Sequence, residues 1–231
     1  MAALSALCFL VLNFTVASLL VAAVYGFDLA LFNESGRLVE RGPRVSALLR
    51  LAMLIDMVGY LAFAPVALYL QHHVPLVVTA AGVGFALVGA IGAATLGSVG
   101  PLLLERSAGG PEAVAMVQLQ LAAFEKLVYV GLWGTLELSL LAIWMIGVSW
   151  VSRPAEGWEF PVLGGIGGIG LLGYSLRCAL TGETPLALVS PLDYLIVPMV
   201  AALGPWLAWL TIRLWRGKTT TGVPLRTSST S

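Results

Sequence analysis

The feature that most constrains this chain is the recurrence of mostly apolar runs of about twenty residues or more, the length an α-helix needs to cross the roughly 30 Å hydrocarbon core of a bilayer. Six segments reach that length: residues 2–27, 47–70, 74–104, 127–151, 160–180 and 191–215. Charged or polar stretches separate them, chiefly 28–44, 105–112 and 153–159. A run this long and this apolar cannot be coated with water-facing side chains. The expected fold is therefore an all-α, polytopic bundle of six transmembrane helices occupying residues 1–217, followed by a polar tail at 218–231.

Composition agrees. Of 231 residues, 59% are apolar and 10% charged, against about 25% charged in an ordinary soluble domain. Twelve basic residues balance twelve acidic ones, so there is no basic surface for nucleic acid. Cys8 and Cys178 both lie in apolar runs, which excludes a disulfide framework or a cysteine-rich metal site. The first run has no positively charged start and no small-residue cleavage pattern before Asp28, so it is read as a retained helix and not as a signal peptide. Lysines and arginines are divided almost evenly between the two sides and give no clear orientation. The basic cluster after the last run favours termini in the cytoplasm.

Two segment boundaries stay open. The third run is long enough to tilt or protrude. Before the fourth, Val114, Val117, Leu121 and Phe124 recur at helical spacing, which fits either an interfacial helix or an extension of the fourth span.

In lipid, helices associate by close backbone approach and buried polar ties, because burying apolar surface gains little there. Small residues at four-residue spacing mark such contacts: Gly89, Ala93 and Gly97 in the third span, and Gly164 with Gly168 in the fifth. The glycine run 164–170 lacks the preceding strand and following lysine of a phosphate loop. Trp133, Trp150, Trp158 and Trp215 fall near span ends, where indoles favour the interface, and Trp144, Trp206 and Trp209 lie deeper. Pro191, Pro198 and Pro205 share one face of the last span. The latter two break backbone bonds, a pattern found in substrate-lining helices and in purely structural kinks alike.

Ionisable groups at bilayer depth are costly and need a reason. Asp56 sits mid-span on a face shared with Gly59, Tyr60 and Phe63. Arg50 lies on another side of that helix, so the partner of Asp56 must come from a different helix, or the carboxyl is protonated. Glu137 shares a face with Trp133, Leu141 and Trp144. Asp56, Tyr60 and Glu137 form a candidate intramembrane polar site. Arg177 and Asp193, at similar depth across a short connection, suit an ion pair, and Ser190 to Asp193 also reads as a capping box. The adjacent His72 and His73 cannot complete a metal or haem site. Ser98 has no histidine partner for nucleophilic chemistry. No catalytic residue, metal or cofactor is expected.

The stretch Leu48–Leu70, with Arg50 preceding Asp56-Met57-Val58-Gly59, resembles the second span of the bacterial domain-of-unknown-function 4386 family. Lys126–Gly147, the glycine-rich fifth span and the Asp193–Pro198 opening of the sixth fit the same pattern, so the resemblance extends over Leu48–Lys218. The first span departs from it by lacking preceding basic residues. The resemblance implies a bacterial inner-membrane location and brings no activity. The residues favour a non-catalytic accessory or assembly subunit packing against a membrane-protein partner or another copy of itself; the alternative is a small-solute or ion transporter using Asp56 and Glu137. The lipid bilayer is the expected surrounding in both cases.

Overall fold

A computed structural model describes residues 1–28, 36–182, 199 and 201–216, and every regular element among them is helical. Five helices are long and apolar enough to cross a membrane. α1 is Ala2–Val24, α2 Ser46–Tyr69, α3 Leu76–Arg106, and α5 Glu159–Thr181. α4 starts at Pro111 and passes without interruption through Pro111–Glu125, Lys126–Glu137 and Leu138–Glu156. The sixth segment is described as α6, Leu203–Trp215, following a turn at Ala202. That break falls beside Ala201, whose carbonyl Pro205 frees. Pro191, Pro198, Asp193 and the tail 218–231 lie outside the described residues.

The open boundary before the fourth span is settled as an extension: Glu112–Lys126 continues directly into α4. The apolar stretch Pro111–Arg153 has 43 residues, on the order of 60 Å at 1.5 Å each, about twice the hydrocarbon thickness. A single α4 therefore has to extend well past the bilayer at one end. Its start is local chemistry. Gly110 adopts φ 108°, open to glycine alone, and Pro111 occupies the first helical turn, where its missing N–H costs nothing.

Each helix from α1 to α5 packs on the next, and α6 lies against α5 and α1. The core is a chain of edge-to-face rings that crosses the bundle. Phe9 of α1 meets Phe63 of α2 at 4.8 Å between centroids, and Phe63 meets Phe85 of α3 at 4.9 Å and Trp144 of α4 at 4.7 Å. Trp144 then meets Trp206 of α6 at 5.5 Å, and Trp206 stacks on Phe160 of α5 at 5.3 Å. Pairs of this kind contribute about 0.5–1.5 kcal/mol each beyond their buried area. The outer surface is aliphatic: Leu51, Leu54, Val58, Leu61 and Leu68 form one exposed stripe along α2. In lipid such a surface is solvated, whereas in water it would aggregate.

The small residues provide the close approaches. A Cβ at Gly97 would press on Met53, and one at Gly89 would overlap the Tyr60 ring, so both positions hold α3 against α2; Ala93 between them is fully buried. Gly168 abuts Ile146 of α4, and Gly164 abuts both Ser149 of α4 and Trp206 of α6. These contacts are all within the chain. Trp133 corrects the expectation of an interfacial indole: with α4 beginning at Pro111 it is interior, its N–H donating to Gly89 O at 3.3 Å and its ring against Gly92. Trp150, Trp158 and Trp215 are exposed, and Arg153 lies over the Trp158 ring at 3.8 Å.

Gly164 and Gly165 make a controlled comparison. Gly164→Ala intrudes on the hydrogen bond from Trp206 Nε1 to Ser149 Oγ (2.9 Å) and should destabilise by about 1–3 kcal/mol. Gly165→Ala meets nothing within 4 Å and should be neutral or slightly stabilising. Thermal unfolding of the two variants in one detergent measures the difference.

Candidate functional site

The polar side chains in the spans converge on α2. Asp56 accepts a hydrogen bond from Asn13 Nδ2 of α1 at 2.6 Å. One turn further along, the Tyr60 hydroxyl donates to Glu137 Oε1 of α4 at 2.8 Å. Asn13 also lies beside the Tyr60 hydroxyl. Asp56 and Glu137 therefore do not touch directly; Tyr60 and Asn13 stand between them. Asp56 is 8% exposed and Glu137 5%. Glu137 Oε2 is buried and has no hydrogen-bond partner among the described residues. Gly89 leaves the space on α3 that the Tyr60 ring needs to reach Glu137, so the glycine stripe sets the geometry of the polar site.

Arg50 does not belong to this cluster. Its guanidinium pairs with Glu105 at 2.9 Å, with both side chains about half exposed, and ties the start of α2 to the end of α3. Arg177 is buried in α5, well away along the chain from this cluster, and its expected partner Asp193 lies outside the described residues. Ser98 donates to Ala94 O of its own helix. Among the described residues there is no group of three His, Cys, Asp or Glu placed to hold a metal.

A cavity of about 430 Å³ begins near Phe27 and Asp28 at the end of α1 and reaches Asp56 and Tyr60. Its depth follows the stretch of α1 between Tyr25 and Asn13, roughly 18 Å. On α1 the wall is a helical stripe of small residues, Ala17, Ser18 and Ala22 among them, with Met53 of α2 and Tyr129 and Trp133 of α4 opposite. The side chains that α1 presents towards α4 are small and leave the space between them unfilled. The volume lies in the usual range for a small-molecule site.

Two of the three helices that border the cavity, α1 and α4, are wound unusually. Leu10–Ala17 of α1 and Lys126–Glu137 of α4 are π-helical, a form concentrated at functional sites. The hydroxyls of Ser18 and Thr135 reach back five residues, to Asn13 O at 3.1 Å and Val130 O at 2.7 Å. Ser175 of α5 also donates to Thr135 O at 2.7 Å. These hydroxyls give the carbonyls of the widened turns additional donors, and the wider register sets the direction of Asn13, Tyr129, Trp133 and Glu137.

A third buried carboxylate, Glu125, lies behind Tyr25, which lines the cavity. It is buried, receives the Tyr25 hydroxyl on Oε1 at 3.0 Å and the backbone N–H of Gly36 on Oε2 at 2.5 Å. The Tyr25 and Tyr129 hydroxyls lie 3.3 Å apart. Gly36, at φ 86°, lies against the Gln118 carbonyl, where a Cβ would collide. Outside the spans, the hydrogen bond from Arg37 holds the Glu40 carboxyl below its usual pKa.

Sequence reasoning found Asp56, Tyr60 and Glu137 and missed Asn13, Glu125, Tyr25 and Tyr129. Asn13 did carry a signal, as the sole side-chain amide in the first apolar run. Glu125 and Tyr129 are four apart on one helical face, which became meaningful once the helix was seen to start at Pro111. Comparison of the chain with family models, with curated proteins and with solved structures gave no match.

Tyr60→Phe removes the donor to Glu137 and leaves a buried carboxyl with neither oxygen bonded within this cluster. It should cost about 1–3 kcal/mol. Adding Glu137→Leu should recover most of that loss, because both polar partners are then gone. A double-mutant cycle on thermal unfolding reads the coupling, and additive losses would show that the contact contributes nothing.

Proposed function

We propose that this protein is a small-solute carrier of a bacterial inner membrane, acting on its solute by binding and translocation and not by catalysis. The observation that carries this reading is the cavity that runs from one end of α1 to Asp56 near the middle of α2. A carboxylate at bilayer depth is expensive, and here one lines a space large enough for a ligand. The π-helical stretches of α1 and α4 supply the elements that could change register, and so re-aim the lining residues, as the site turns from one side to the other. The resemblance of Leu48–Lys218 to a bacterial membrane family supports the location.

The accessory-subunit reading keeps one observation in its favour. Met116 and Leu119 are exposed on the part of α4 that precedes Glu125, a surface that a membrane-protein partner or a second copy would cover. Against it, the glycine stripes that would have received a partner helix are occupied by Tyr60, Met53, Ser149 and Trp206 of the same chain.

The test is solvent access followed by flux. With Cys8 and Cys178 replaced by serine, Ala22→Cys on the cavity wall should react with a hydrophilic thiol reagent. Leu19→Cys, at an exposed aliphatic position of α1 that faces lipid, should not. In proteoliposomes, Asp56→Asn should reduce solute flux at least tenfold while leaving the unfolding temperature close to that of the parent. An unreactive Ala22→Cys, or flux indifferent to Asp56→Asn, rules the carrier reading out.

A further inference from the structure

The lining of the cavity specifies the class of solute. Tyr25, Phe27, Tyr60, Tyr129 and Trp133 give it an aromatic wall, and Asp28 and Asp56 give it two carboxylates. Among the described residues, no lysine, arginine or histidine lines it. A bound anion would meet the Asp56 carboxylate with no lining cation beside it. A neutral solute would leave the mid-span carboxylate uncompensated.

The aromatic geometry narrows the choice further. Tyr129 and Trp133 lie one turn apart on α4, with ring centroids 5.2 Å apart and planes inclined at 60°, like two adjoining walls of a box. Trp133 is fixed by its N–H bond to Gly89 O, and the Tyr25 and Tyr129 hydroxyls are engaged with each other and, through Tyr25, with Glu125. These side chains thus offer the cavity ring surface more than hydrogen-bonding groups. Ring faces attract cations through their quadrupole, most effectively where water is excluded, and aromatic cages of this kind take substituted ammonium groups. A hydrated inorganic ion needs several oxygen donors in place of its water, and this mostly apolar wall supplies few.

Resting on the reading of this cavity as a solute site, we propose that its ligand is a small organic monocation, an alkylated or arylalkyl ammonium, with Asp56 as counter-ion and Tyr129 and Trp133 as the cage. Asp56 is the carboxylate that a cation meets at depth in the cavity. Asn13, donating to Asp56 Oδ1, orients the carboxylate without neutralising it.

Calorimetric titration of the intact protein in zwitterionic nanodiscs tests this with benzyltrimethylammonium as probe, and with N,N-dimethylbenzamide and benzenesulfonate as neutral and anionic comparators. The cation should bind at least tenfold more tightly than either. Asp56→Asn should weaken it at least tenfold, with Asp56→Glu restoring part of the affinity. Tyr129→Leu should weaken it severalfold, whereas Tyr129→Phe, which keeps the ring, should not. Equal binding of the neutral comparator, no detectable cation binding, or indifference to Asp56→Asn would each overturn the assignment. Reactivity of Ala22→Cys separates the two failures: a reactive cysteine without cation selectivity refutes the ligand class alone, and an unreactive one refutes the solute site itself.

Discussion

Lipid offers no hydrogen-bond partner, and most of this structure follows from that. A polar side chain placed in a span has to find its partner on its own helix, on another helix or in a cavity. The described chain uses all three. Asn13 to Asp56 joins α1 to α2, Tyr60 to Glu137 joins α2 to α4, Trp133 to Gly89 joins α4 to α3, Ser175 to Thr135 joins α5 to α4, and Trp206 to Ser149 joins α6 to α4. α4 takes part in four of these five ties. It is also the longest helix and supplies Trp144 to the ring chain that crosses the core. It acts as the mast on which the other helices are hung.

The same constraint gives the π-helical stretches a role. In a regular α-helix the carbonyl four residues back accepts each N–H. In a π-helix the acceptor is instead the carbonyl five residues back. Ser18 and Thr135 add hydroxyl donors to carbonyls five residues back, and Ser175 adds one to Thr135 O from the neighbouring helix. Hydroxyls accompany both stretches, which border a large space lined by α1, α2 and α4. Small side chains on α1 leave that space unfilled, and the rings of Tyr129 and Trp133 on α4 wall its other side.

Glycine serves two ends here that sequence pattern alone does not distinguish. Gly89 and Gly97 let α3 approach α2, and at Gly89 that approach seats the Tyr60 ring so that its hydroxyl reaches Glu137. A stripe suggestive of assembly with other proteins is thus consumed in building an internal polar site. Close packing and site geometry are the same contact, and for that reason the small residues and the polar cluster cannot be varied independently.

What the sequence determined by itself was the solvent and the class of fold, because the length of mostly apolar runs is a one-dimensional property set against a bilayer of fixed thickness. It also marked Asp56 and Glu137, since an ionisable residue in such a run stands out whatever its neighbours are. It could not place Asn13, Glu125 or Tyr129 in the site, or show that α4 begins at Pro111. Around these helices nearly every face is apolar, so hydrophobic periodicity, which tells core from surface in water, loses its contrast in lipid. Which face turns inward, which carboxyl finds which hydroxyl, and whether a space is left between two helices depend on the size and shape of side chains far apart in the chain. Only the tertiary structure decides these, because packing is a property of pairs of helices and not of either one alone.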